Sequence, residues 1–150
     1  MSTYWKIEKC LSGILVPYEV VKFEGNILLN EGINAIWTLV AGGAATAFSN
    51  TNSYIGVGDG TDSLDAAHVG LQGTNKAYAA MVPGYPQYGS DQVIIFRAVF
   101  LSGTAEFTWQ EYTVANGSSD DSVNLLRKIE SIGTKEPGND WTITVARTLP

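Results

Sequence analysis

A mainly β protein is predicted for this chain: an antiparallel β-sandwich or small barrel with one short α-helix, at about 31–41, and an extended N-terminal arm. Three observations predict it. Trp141, Ile143, Val145, Arg147 and Leu149 alternate with Thr142, Thr144, Ala146 and Thr148, the period-two pattern of a half-buried strand rich in β-branched residues. The run "QVIIFRAVFL" is apolar on both faces and enters "TAEFTWQEYTVAN" through a tight Ser102-Gly103 turn. Helical periodicity stands out in one stretch, whereas the connections are rich in Gly, Asn and Ser.

In chain order, residues 1–24 read as extended. Trp5, Ile7 and Lys9 alternate with Lys6 and Glu8, and Gly13 and Pro17 punctuate the chain before "YEVVKF". Proline cannot donate to a ladder, so this stretch is expected to be an arm or edge strand, with residues 25–150 as a single β-rich domain. In "NEGINAIWTLVAGG", Ile33, Ile36, Trp37 and Val40 fall on one helical stripe, with Asn30 as N-cap, Glu31 at the positive end of the dipole and Gly42-Gly43 as the stop. "AATAFSNTN" is a loop and "SYIGVG" a short strand. "QVIIFRAVFL" and "TAEFTWQEYTVAN" are expected to pair as a hairpin. A second hairpin is expected from "LLRKIESIG" and "DWTITVARTL" across Pro137-Gly138.

Bulk properties narrow the function. A chain of 150 residues fits one domain, and roughly 68–70% burial is typical at this size, so neither metal nor disulfide is required for folding. The net charge of −6 and the scattered Lys and Arg argue against nucleic-acid binding. Cys10 is the single cysteine and reads as a small core filler. The first 20 residues break their apolar run with Lys, Glu and Ser, unlike a secretory signal, and no stretch matches a membrane helix.

The run "YIGVGDGTDSLD" places glycines and aspartates directly behind a strand, and it fails the loop grammars it suggests. A Walker loop needs a lysine, and none lies between Val40 and Lys76; Gly56, Gly58 and Gly60 do not follow the dinucleotide fingerprint. An EF-hand starting at Asp59 would have Leu64 where Gly belongs and Gly70 where Glu belongs. Asp59, Asp62 and Asp65 therefore read as turn and cap residues, an irregular cation site being the lesser alternative. His68, the single histidine, and Cys10 are too few for a zinc site. No G-x-S-x-G elbow accompanies His68 for a Ser-His-Asp triad, and Glu106 and Glu111 point to opposite faces of an alternating strand. Glu111, beside Trp109 and Tyr112, reads as an edge or interface residue, or as part of a sugar groove. Catalytic residues, metal and cofactor are all expected to be absent. Tyr78, Tyr85 and Tyr88 crowd a loop with Pro83 and Pro86, a composition suited to recognition.

Taken together, "NILLNEGINAIWTLVAGG", "YIGVGDGT", "LQG", "GYP", "IIFRAVF" with "AEFTWQE", "LLRKIESIGTK" and "WTITVARTL" resemble, in order and spacing, a family of small structural proteins of tailed bacteriophages over about residues 26–149. The resemblance implies a virion component, most like a capsid decoration or cement protein. Such a protein is made in the host bacterial cytoplasm and sits as a trimer on the capsid exterior against the major capsid protein. A second similarity, to the N-terminal domains of tail-collar fibres, implies a tail fibre, adaptor or baseplate role; "LQG" and "WQEYTV" depart from that pattern. Candidate partner-contact residues are Trp5, Ile7, Pro17, Tyr85 and Tyr88, with residues 1–24 as a staple to the shell or a neighbouring subunit. The competing classes are a carbohydrate-binding module using Trp109, Tyr85 and Tyr88, and a small hydrolase built on His68.

Overall fold

Alternation governs the first strand, β1 (Ser2–Leu11): Thr3, Trp5, Ile7 and Lys9 are buried while Ser2 and Tyr4 face out. β1 turns through residues 12–18 into β2 (Glu19–Glu24) and pairs antiparallel with it, Trp5 opposite Phe23. A two-residue strand, β3 (Ile27–Leu28), leads into α1 (Asn30–Val40). β4 (Tyr54–Gly58), β5 (Lys76–Ala80), β6 (Val93–Phe100), β7 (Glu111–Ala115), β8 (Asn124–Ile129) and β9 (Asn139–Thr148) follow. The computed structural model describes residues 2–149. Its strands form a four-stranded sheet, β2-β1-β9-β6, and a five-stranded sheet, β3-β8-β7-β4-β5, antiparallel throughout and without barrel closure. The mainly β class with one short helix is therefore the observed one, as a sandwich.

The two inner faces supply the core. Trp5, Ile7, Phe96, Ile143 and Val145 of the first sheet meet Ile55, Val57, Tyr112, Val114 and Leu126 of the second. Trp109 crosses Phe100 at 5.0 Å and Trp141 at 4.8 Å between ring centroids, both edge-to-face, and its indole N–H donates to the Ala105 carbonyl at 2.9 Å. Such aromatic pairs contribute about 0.5–1.5 kcal/mol beyond the area they bury.

Three expectations are corrected by this arrangement. Residues 2–24 are no arm: β1 lies between β2 and β9 and is paired to β9 along its whole length, so Trp5 and Ile7 are core residues, each 0% exposed. The edge-strand alternative holds for β2, the outermost strand of its sheet, while Pro17 lies in the turn before it, where its missing N–H breaks no ladder. The β6–β7 hairpin does not form, because β6 pairs with β9 while β7 pairs with β4 and β8. Nor do β8 and β9 pair, as they belong to opposite sheets. Both turns exist, but they carry the chain from one sheet to the other, because the flanking apolar faces bury best against each other across the sandwich.

The helix is where its periodicity places it, but turned. Gly32 and Ala35 are its buried residues, whereas Trp37 and Val40 of the expected stripe are 65% and 72% exposed. Gly32 explains the turn: a Cβ there would lie 2.5 Å from the Leu125 carbonyl oxygen, so the helix backbone sits directly on β8. Leu29, not Asn30, occupies the N-cap and makes no side-chain cap bond; Glu31 instead accepts the Asn124 amide at 2.8 Å, tying the helix to β8.

Candidate functional site

The glycine-aspartate turn after β4 is built around an internal ion pair. Glu111, at the start of β7, and Arg127, on neighbouring β8, are both wholly buried. Arg127 Nε donates to Glu111 Oε2 at 2.9 Å, and Nη2 lies 2.8 Å from the same oxygen at an angle too bent for a second hydrogen bond. The other donors come from two loops: Gly73 N at 2.7 Å, Gln72 N at 2.9 Å and Gly60 N at 3.1 Å. Burying a carboxylate is costly unless it is paired and hydrogen-bonded, and here it is both. Arg127 Nη1 donates onward to the Asp62 carbonyl at 3.0 Å and lies 3.3 Å from His68 Nδ1. The glycines are dictated by this centre, since a Cβ at Gly58 or Gly60 would fall 2.5 Å from Glu111 Oε1, and one at Gly73 would fall 2.4 Å from Gly60 N.

Segments far apart in the chain, "GVGDG", "LQG", "WQE" and "LLR", thus converge on one buried carboxylate. Glu111 is no edge residue and lines no sugar groove, because a central strand and a full set of donors occupy it. The three aspartates do not converge. Asp59 accepts from Asn75 N and Nδ2 at 3.0 and 2.7 Å, Asp65 caps its own turn through Ala67 N at 2.9 Å, and Asp62 contributes its carbonyl. No group of three metal-ligating side chains is found among the described residues. The Asn75 amide holds the Asp59 carboxyl below its usual range. Beside the knot, Asp120 accepts from Leu71 N, the Lys76 ammonium and the Tyr78 hydroxyl. Partial burial raises the Asp120 pKa, but the hydrogen bonds from Lys76, Tyr78 and Leu71 outweigh it and leave the carboxyl below its ordinary value. Burial and the same bond to Asp120 push the Tyr78 phenol up. His68 meets a guanidinium, where a triad histidine would meet a carboxylate.

Exposed apolar surface is concentrated in two places. The turn joining β1 to β2, "LSGILVPY", presents Leu15 at 96% and Val16 at 77% exposure, with Leu11, Ile14 and Tyr18 also exposed. Its base is fixed: Ser12 N donates to Gly138 O at 2.8 Å, Tyr18 N to Lys9 O at 2.9 Å, and the Tyr18 hydroxyl to Asn139 Oδ1 at 2.8 Å. Lys9, buried over the Trp141 ring at 4.6 Å, holds Glu19 at 2.7 Å. The second place is a groove of about 910 Å³ between α1 and the β6 side of the sandwich, with Ile36, Phe48, Phe96, Leu125 and Leu149 in its wall and Tyr88 at its side.

The sequence-predicted contact residues separate accordingly. Pro17 belongs to the apolar tip and Tyr88 to the groove, whereas Trp5 and Ile7 lie in the core. Tyr85 is half-buried against the core, with the Arg97 guanidinium 5.8 Å from its ring centre and its carbonyl held by Asn50 at 2.6 Å. Leu15 and Val16 are not among those candidates, although "ILVPY" is a run of large apolar residues where a turn ordinarily carries polar ones; Val40, expected on the buried stripe of the helix, lines the groove instead. No family model, curated protein or solved structure matches the chain. No helix among the described residues is long and apolar enough to cross a membrane.

Proposed function

We propose that this chain is a structural protein of a bacteriophage virion, a capsid decoration or cement protein that binds the outside of the head shell as a trimer. The observation that carries the reading is the apolar tip at residues 11–18, a rigidly based turn whose large side chains point into solvent. Exposed apolar patches of this kind mark protein interaction sites. Strand pairing belongs to the same surface, because β2 is the open edge of its sheet and runs directly out of the tip. The landmarks of the phage resemblance, "YIGVGDGT", "LQG", "WQE" and "LLR", all serve the Glu111–Arg127 knot, so the resemblance concerns how the scaffold holds together, and the docking role rests on the tip. A carbohydrate-binding module is less well supported, since Trp109 is 0% exposed and Tyr85 is half-buried.

The test is a binding experiment with purified head shells. Wild-type protein is expected to co-sediment with shells, and the Leu15→Ser/Val16→Ser variant to lose this while melting at the same temperature. Co-purification with tails instead of heads would move the protein to the fibre, adaptor or baseplate class. Equal shell binding by wild type and variant would overturn the tip as the docking element.

A further inference from the structure

Arg147 is an unusual member of the core face of β9. It follows Trp141, Ile143 and Val145 on the side that faces the second sheet, and only 6% of it is exposed. Its Nη1 donates to two neutral oxygens, Thr3 Oγ1 at 2.5 Å and Asn26 Oδ1 at 2.6 Å. Among the described residues it forms no ion pair, and its Nε and the neighbouring Asn26 Nδ2 are buried donors without an acceptor. Arg127, the other buried guanidinium, has Glu111 against it. Buried charge is normally paired, so a lone guanidinium of this kind calls for an anion.

Its position says what else that anion must carry. Arg147 and Leu28 line both the apolar groove and a second, smaller cleft of about 530 Å³ formed with Thr3, Gly25 and Asn26. One end of the combined site therefore carries the unpaired donors of Arg147 and Asn26, with the exposed Glu24 carboxylate also in the wall of that cleft but in no ion pair with Arg147. The other end is a mainly apolar groove past Ile36, Phe48 and Phe96, with Asp91 and Gln92 also in its lining. A large apolar pocket with a few convergent polar groups is the ordinary form of a small-molecule site. Guanidinium is the side chain suited to a planar carboxylate, which it can hold through two parallel hydrogen bonds.

We propose that the cleft between α1 and β6 binds a free fatty carboxylate, its head group at Arg147 and Asn26 and its chain along the apolar groove. The site lies at the Ser2, Val93 and Thr148 end of its sheet, whereas the apolar tip lies at the Leu11 and Asn139 end. Ligand binding and shell docking therefore use opposite ends of the molecule and can fail independently.

Titration calorimetry of the full chain with dodecanoate and 1-dodecanol, below their micelle-forming or solubility limits, tests the assignment. Saturable one-to-one binding of dodecanoate is expected, at least tenfold tighter than that of the alcohol. Arg147→Met is expected to abolish this preference and Arg147→Lys to keep part of it. Val40→Glu changes an exposed residue in the groove wall, so it is expected to melt like wild type and to weaken dodecanoate at least threefold. Absence of saturable binding, equal binding of acid and alcohol, or indifference to Val40→Glu would overturn the proposal. Concentration-dependent self-association abolished by Val40→Glu, with no dodecanoate bound, would make the groove an interface between copies and equally refute it.

Discussion

Removing the Glu111 carboxylate should cost more than removing its cationic partner, and the structure accounts for the difference. Glu111→Ala leaves Arg127 buried with its charge uncompensated and withdraws the acceptor from Gly60 N, Gln72 N and Gly73 N. Breaking a buried pair from one side costs about 3–5 kcal/mol. Each backbone donor left without a partner adds about 1–3 kcal/mol unless water reaches it. Arg127→Met also leaves a buried ion, but that carboxylate keeps its three backbone donors, and its cost should stay near the lower end of about 3 kcal/mol. Glu111→Ala is accordingly expected to lose at least about 4 kcal/mol, a large share of the roughly 5–15 kcal/mol that stabilises a typical domain. At about 2–4 °C per kcal/mol for a chain of this size, the melting temperature should fall by roughly 8–16 °C. Urea unfolding followed by tryptophan fluorescence gives both free energies, and an unchanged m-value certifies that compactness is the same. Hydrogen exchange should speed up at Gly60, Gln72 and Gly73 in the Glu111 variant and much less in the Arg127 variant. Equal losses for the two variants, or a loss below about 1 kcal/mol for Glu111→Ala, would refute the account of Glu111 as the anchor of both loops.

Other outcomes follow from single positions. Gly32→Ala should destabilise by about 1–3 kcal/mol although alanine is ordinarily the better helix former, because its Cβ would meet the Leu125 carbonyl; a stabilised variant in chemical denaturation would contradict the close α1–β8 approach. Trp109→Ala should cost about 3–5 kcal/mol and Trp37→Ala less than about 0.5 kcal/mol, since the first side chain is buried and the second 65% exposed; thermal melts distinguish them. Asp59 and Asp120 are both held below their unfolded pKa values, so the native state binds fewer protons than the unfolded chain. Their stabilisation should be complete above about pH 5 and should disappear as the pH falls through the unfolded value of about 3.9 and then the lower folded ones. Asp120→Asn should flatten this acid limb in urea titrations, and a limb unchanged in the variant would remove Asp120 from the explanation.

What the sequence determined by itself is local. Period-two burial along β9, the two-faced apolar run of β6, the position of α1 and the turn after β4 were all legible, because strand and helix periodicity depend only on which neighbouring residues share a face. The turn chemistry at Ser102-Gly103 and Pro137-Gly138 was legible too, but its destination was not. A turn signal states that the chain reverses, while the partner strand is chosen by distant surfaces: β6 meets β9, and β7 meets β4. Tertiary structure alone placed β1 inside its sheet, converting Trp5 and Ile7 from contact candidates into core. It also turned α1 about its axis, since a glycine permits an approach to β8 that no apolar stripe encodes. The clearest case is the site. Glu111 is separated in the chain from the loops that hold it, so its burial could not be read from the alternating pattern around it, and Arg147 looked like one polar residue on a strand. Burial of a charge is decided by which partners the folded chain brings to it: a carboxylate and two loops for the first pair, and no acid within ion-pair distance among the described residues for Arg147.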